Sequence, residues 1–192
     1  MSGQSFTAFD ANVLKAMERW PDVPECRGWL ALDRRGRWRI RGALIEHARA
    51  VEFLSRHYAK RDDGCWYVQN GPQVVLVDLE YTPWIYRLGG DGAFVSHTGL
   101  DAGMPQRCLV DEEGNVLIDT KRGPGLIDDR DLVAVSEFLQ YNDPSETYPD
   151  TLVFQQCTVP VDRISRADVA SRFDYTARPG DVGMTEAASD ES

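Results

Sequence analysis

Two stretches of this chain read alike, and that echo constrains the fold more than any other feature. The first runs Leu30-Ala31-Leu32-Asp33-Arg34-Arg35-Gly36-Arg37-Trp38-Arg39-Ile40, passes through Leu44-Ile45 and reaches Glu52-Phe53-Leu54. The second runs Leu109-Val110-Asp111-Glu112-Glu113-Gly114-Asn115-Val116-Leu117-Ile118, passes through Leu126-Ile127 and reaches Glu137-Phe138-Leu139. Each sets Asp three residues before Gly, then an apolar strand, then an amphipathic helix. The Gly supplies the positive φ that a hairpin turn needs. Loop insertions account for the unequal spacings, because closure entropy grows only slowly with loop length. The expectation is an α+β chain of two related hairpin-helix-strand halves, an internal duplication. Gly89-Gly90-Asp91-Gly92 is the softest point in mid-chain, so the halves are placed at 1–90 and 91–180. Residues 181–192 are small and acidic and read as a disordered tail. Duplicated units bury their open faces on one another, and the groove between them is the expected ligand site.

Periodicity fills in the elements. Phe9, Val13, Met17 and Trp20 recur at helical spacing. Residues 29–33 read as a strand, and 37–41 alternate strictly. Leu44, Ala48, Val51, Leu54 and Tyr58 give a helix over 43–58, with His47 inside its apolar stripe. Strands follow at 66–68 and 74–79, then near 94–97, 108–111, 116–118 and 152–154. A helix capped by Asp128 or Asp129 presents Leu132, Val135, Phe138 and Leu139. Trp29, Trp38, Trp66 and Val75 occupy the apolar phase of their strands and are assigned to the core.

Charge separates along the chain. The net charge is −10, which argues against a surface that binds nucleic acid all over. Yet residues 31–61 hold nine Arg and Lys against three Asp and Glu, while 101–150 hold four against twelve. Within the basic segment Arg35, Arg37, Arg39 and Arg41 project from one face of a hairpin, with Trp38 opposite, and Arg37, Arg39 and Arg41 form a basic strand face. Such a stripe suits phosphate, a nucleic-acid backbone or an acidic peptide. The plainer readings are a solvated face, or an internal match to the acidic second half. Gln69, Asn70 and Gln73 crowd amides around Gly71-Pro72, where they satisfy local backbone or meet a ligand.

No catalytic motif is present: no G-x-S-x-G, no phosphate-binding glycine loop, no H-E-x-x-H. His47, His57 and His97 are scattered, and Cys26, Cys65, Cys108 and Cys157 form no C-x-x-C pair. No metal site, cofactor or disulfide is expected. No apolar run is long enough to span a bilayer and no signal peptide is apparent, so the expectation is a cytoplasmic protein without membrane partners. The leading functional expectation is a non-catalytic binding or regulatory module, with Arg37, Arg39, Arg41, His47, Gln69, Asn70, Gln73 and His97 as ligand contacts. The alternative is a small hydrolase or transferase using His47 or His97 with a carboxylate. Assembly with a second copy is left open.

The run G-W-L-A-L-D-R-R-G-R-W-R-I-R-G at 28–42, the helix opening L-I-E-H at 44–47, and D-G-C-W-Y-V-Q-N-G-P-Q-V-V at 63–75 resemble an uncharacterised proteobacterial family of unknown function. More distantly they are similar to a second such family, with D-x-x-G-x-W, a helix and a T-P-containing strand pair. That resemblance implies a duplicated α+β core and a C-terminal half like a pleckstrin-homology fold. It also implies a site for a peptide or nucleic acid between the halves, a signalling role, and no known catalytic residues. This chain has Gln69-Asn70-Gly71-Pro72 where the distant family has Thr-Pro.

Overall fold

The computed structural model describes residues 9–19, 23–143, 145 and 147–179. Among these, 9–33, 37–81 and 174–179 form one compact unit, and 34–36 with 82–173 form the other. The fold class is α+β.

The first unit holds α1 (Ala11–Arg19), β1 (Cys26–Leu32), β2 (Trp38–Ile40), β3 (Ala43–Leu44), α2 (Ala48–Arg56), β4 (Tyr58–Lys60), β5 (Trp66–Asn70) and β6 (Gln73–Leu79). Its sheet runs β3-β2-β1-β6-β5-β4. β1 and β6 are parallel, and the other neighbours are antiparallel. Leu30, Leu32, Val77 and Leu79 are buried with Trp38, Tyr58 and Trp66. Trp38 meets Tyr58 edge-on at 5.2 Å and donates its indole N–H to Ser55 of α2 at 3.3 Å. Trp29 departs from the expected core. It alternates with Leu30 on β1, points to the other face and stays 46% exposed. Val75 is half-buried, because the β1–β6 ladder slips register between Cys26 and Leu30.

The helix expected over 43–58 is shorter. Arg41 (φ 47°) and Gly42 (φ 82°) both take the left-handed region, which defines a two-residue reverse turn. Residues 43–44 therefore fold back as β3, and α2 begins only at Ala48. Arg41 sits in this turn rather than on the strand, so the strict alternation ends at Ile40.

The second unit holds β7 (Trp84–Leu88), β8 (Phe94–Ser96), β9 (Pro105–Val110), β10 (Val116–Thr120), β11 (Gly123–Ile127), α3 (Leu132–Ser136), β12 (Leu139–Gln140), β13 (Thr151–Phe154), β14 (Cys157–Arg163) and α4 (Val169–Arg172). Its sheet runs β12-β13-β14-β9-β10-β11-β7-β8. It curls, so that Phe94 of β8 stacks on Phe154 of β13 at 4.3 Å. Six of these strands follow the order of the first sheet. In both units three strands, a helix and three strands succeed one another, and the last strand lies parallel beside the first. Strands β7 and β8 are the second unit's addition.

The break between units falls at Tyr81/Thr82, not at Gly89–Gly92. Those glycines are the turn of the β7–β8 hairpin, closed by the Gly89 N–H on the Ala93 carbonyl at 2.7 Å. Residues 174–179 also leave the expected second half and return to the first unit. Tyr175 donates its hydroxyl to Tyr81 O, and Leu79 N–H donates to Ala177 O. The tail at 181–192 lies outside the described residues. Helix α3 stops at Ser136 because the next residues pair as strand: Val153 N–H donates to Phe138 O, and Leu139 opens β12. Among the described residues no helix is long and apolar enough to cross a membrane.

Candidate functional site

The arginine stripe resolves into a clamp and a platform. The clamp is built on Asp33, which is buried at the end of β1. The turn 33–37 closes with Asp33 N–H donating to Arg37 O at 3.0 Å, while Gly36 takes φ 71°. That geometry points the Asp33 carboxylate back at its own hairpin. It accepts Arg37 N–H at 2.9 Å, Arg37 Nε at 2.8 Å and Arg39 Nε at 3.1 Å. Arg37 and Arg39 thus share one carboxylate from their own strand pair, while Arg35 pairs with Asp129 at 2.7 Å. Arg39 also donates to Gly42 O at 3.0 Å, tying the clamp to the next turn.

The platform is Trp29 with Arg41. Arg41 N–H donates to Trp29 O at 2.8 Å, which extends the β1–β2 ladder. The Arg41 guanidinium carbon lies 3.8 Å from the indole centroid, a cation–π contact. Arg41 forms no ion pair among the described residues. Leu44 is also exposed on this face, whereas exposed Ile40 pairs with Leu30 and lies on the other. β3 is the margin of the sheet. Ile45 N–H donates to Trp38 O, so by antiparallel alternation the Leu44 amide faces away from β2. This corner of the sheet therefore presents two large apolar side chains, a guanidinium stacked on one of them and, among the described residues, an unpaired strand edge.

The other expected residues have local partners. His47 is exposed rather than set in an apolar stripe, and caps α2 by accepting Ala50 N–H on Nδ1 at 3.4 Å. Gln69 is buried and donates its amide to Gly71 O at 2.9 Å, closing the two-residue turn Gly71-Pro72. Asn70 is exposed and Gln73 half-buried at the ends of that turn. His97 Nδ1 accepts Ile85 N–H at 3.4 Å, and burial lowers its pKa to about 3, so the ring is neutral at ordinary pH. The stripe and the β5–β6 turn belong to the first unit and His97 to the second.

The histidine–carboxylate pair that does form is His57 with Asp10, at 3.4 Å. His57 is fully buried between Phe9 and Phe53. Its Nδ1 lies 2.8 Å from Phe53 O, and its Nε2 accepts Asp10 N–H at 3.4 Å. Both ring nitrogens are committed to backbone. The four cysteines are free thiols, and burial pushes Cys108 up to about 12. No cluster of three or more His, Cys, Asp or Glu suited to a metal occurs among the described residues.

Sequence reasoning missed Trp29 as a surface residue and Asp33 as the partner of the stripe. The signal for Asp33 was present, since Asp four residues before Arg across a glycine turn favours the contact seen. The signal for Trp29 was its alternation with Leu30.

This is an α+β chain whose first sheet has an exposed aromatic–basic margin. The family described as "Protein of unknown function (DUF2946)", DUF2944, matches residues 9–180, and the chain belongs to that family. No curated protein matches. Two solved structures are similar. The crystal structure of a DUF1285 family protein from Silicibacter pomeroyi DSS-3 is 16% identical, with a TM-score of 0.49 over 77% of this chain and 97% of that one. A DUF1285 family protein from Shewanella baltica OS155 is 13% identical, with a TM-score of 0.38 over 56% and 90%.

Proposed function

We propose that this is a cytoplasmic, non-catalytic binding module whose first unit takes up an extended acidic polypeptide segment along β3. The observation that carries this is Arg41 stacked on exposed Trp29, without an ion pair among the described residues, beside the outward Leu44 amide. A partner strand adds its backbone to a free sheet edge and sets alternate side chains on one face. Its apolar residues meet Trp29 and Leu44, and its carboxylates meet Arg41. The basic surplus of residues 31–61 suits an acidic partner, whereas the net charge of −10 disfavours a long polyanion. The strand order common to both sheets also supports reading the chain as an internal duplication in which one copy keeps this margin open.

The test is fluorescence anisotropy with a labelled peptide of alternating Glu and Val. Binding is expected to weaken with salt and to be lost in Arg41→Glu and in Leu44→Pro, which removes the edge amide. Binding unchanged in both variants sinks the proposal. So does single-stranded DNA of equal charge binding more tightly than the peptide.

A further inference from the structure

Within β3 the outward backbone belongs to Leu44. The two-residue turn at Arg41-Gly42 sets Ile40 opposite Ala43 and Arg39 opposite Leu44. Ile45 N–H donates to Trp38 O at 2.9 Å, so bonded and non-bonded pairs alternate and Leu44 turns both its N–H and its C=O to the margin. A strand added antiparallel to β3 sets one residue against Leu44, and the two exchange both bonds. Antiparallel pairing is also the more stable per residue.

That register fixes what the neighbours meet. The added residue opposite Leu44 points its side chain to the face of Leu44, Arg39 and Trp29. Two residues further along the added strand, the same face passes over Gly42. Two residues earlier, it meets Glu46.

The two ends carry opposite charge. Gly42 has no side chain, and a Cβ built there would meet nothing within 4 Å. The adjoining Arg41 holds its guanidinium 3.8 Å from the Trp29 ring centroid and forms no ion pair among the described residues. At the other end Glu46 shares the parity of Leu44 and is exposed. It too forms no ion pair among the described residues, exposed Arg49 included. Arg39, between the ends, is already held by Asp33 and by Gly42 O.

We infer, on the strand-addition reading above, that Arg41 and Glu46 set the direction and charge order of the segment taken up at β3. The segment runs antiparallel to β3. On one face it carries a basic residue against Glu46, an apolar residue against Leu44 and an acidic residue over Gly42 beside Arg41. Its acidity therefore belongs to the C-terminal side of the contact. Opposite charges across a strand pair attract and like charges repel. A segment of reversed order meets two repulsions or gives up antiparallel pairing. Glu46 is the specificity-determining residue, because it disfavours an acid where Arg41 would accept one.

The test compares three labelled peptides on the full chain by fluorescence anisotropy: Lys-Thr-Val-Thr-Glu, Glu-Thr-Val-Thr-Lys and Glu-Thr-Val-Thr-Glu, each flanked by glycines and blocked at both ends. The first should bind about fivefold tighter than either of the others, the scale of two exposed charge pairs. In Glu46→Lys the third should become the tightest and the first should lose its advantage over the second. Equal binding of the first peptide and either of the others, tighter binding of the second, or an unchanged ranking in Glu46→Lys overturns the inference and leaves strand addition standing. Binding of none of the three overturns both.

Discussion

The two glycine hairpins share a backbone and differ in what their aspartate holds. Asp111 is buried like Asp33, and its N–H donates to Asn115 O at 3.1 Å just as Asp33 N–H donates to Arg37 O. Each carboxylate accepts the N–H four residues on, at 2.9 Å in both turns. The second carboxylate oxygen then takes a different partner. In the first unit it holds two guanidinium groups, and in the second the neutral amide of Asn115 at 2.7 Å. One turn motif therefore serves two surfaces. The first gathers positive charge beside an open strand margin. The second is closed by a side chain of its own length and carries no such surplus.

The largest expected contrast lies one residue beyond each turn. Trp38 and Val116 open the return strands and are both buried. Trp38→Ala should cost about 3–5 kcal/mol and Val116→Ala about 2 kcal/mol, read by urea denaturation. A Trp38 loss below about 1 kcal/mol would mean that α2 does not pack on that ring.

Next come the aspartates. Asp33→Ala and Asp111→Ala should each cost about 2–3 kcal/mol, since buried N–H groups lose their acceptor. The Asp33 loss should shrink in high salt, because its guanidinium partners are partly exposed and screened. The Asp111 loss should not. Equal salt dependence would erase the distinction between a charged and a neutral clamp.

His97 supplies a pH dependence to the second unit alone. Its folded pKa is depressed to about 3 by burial, while an unfolded histidine titrates near 6.5. The unfolded chain therefore binds the extra proton. Stability is complete above about pH 6.5 and falls by about 1.4 kcal/mol per pH unit as pH drops toward 3. His97→Gln should flatten that slope between pH 7 and 5. An unchanged slope would place the acid sensitivity elsewhere.

The smallest effect separates the clamp from the platform. Arg37→Ala should cost only about 0.2–1 kcal/mol, as expected of a half-exposed ion pair. It should leave peptide binding intact, because Arg37 is already held by Asp33.

Much of this was legible in the sequence, and what was not has a physical cause. The hairpin turns at Gly36 and Gly114 were readable because only glycine takes that backbone without cost. The central strand Gln73–Leu79 was readable from its β-branched run. Strand β3 was hidden because Arg41 adopts φ 47°, a conformation that arginine rarely signals. Strand β11 was hidden by Gly123, Pro124 and Gly125, residues that read as loop. Gly125 is there because the Tyr86 ring occupies the space of a Cβ, within 2.2 Å. The return of residues 174–179 to the first unit depends on long-range hydrogen bonds with no local pattern. For the site, alternation located the arginines, and their partner was also readable, because Asp33 stands four residues before Arg37 across the Gly36 turn.

The most direct test of the binding account follows two backbone and side-chain probes at once. In an amide and indole spectrum of the labelled chain, the acidic alternating peptide should move the Trp29 indole N–H and the Leu44 amide together, at low salt more than at high. Shifts confined to the second unit, or a Trp29 shift without any change at Leu44, would contradict strand addition at β3.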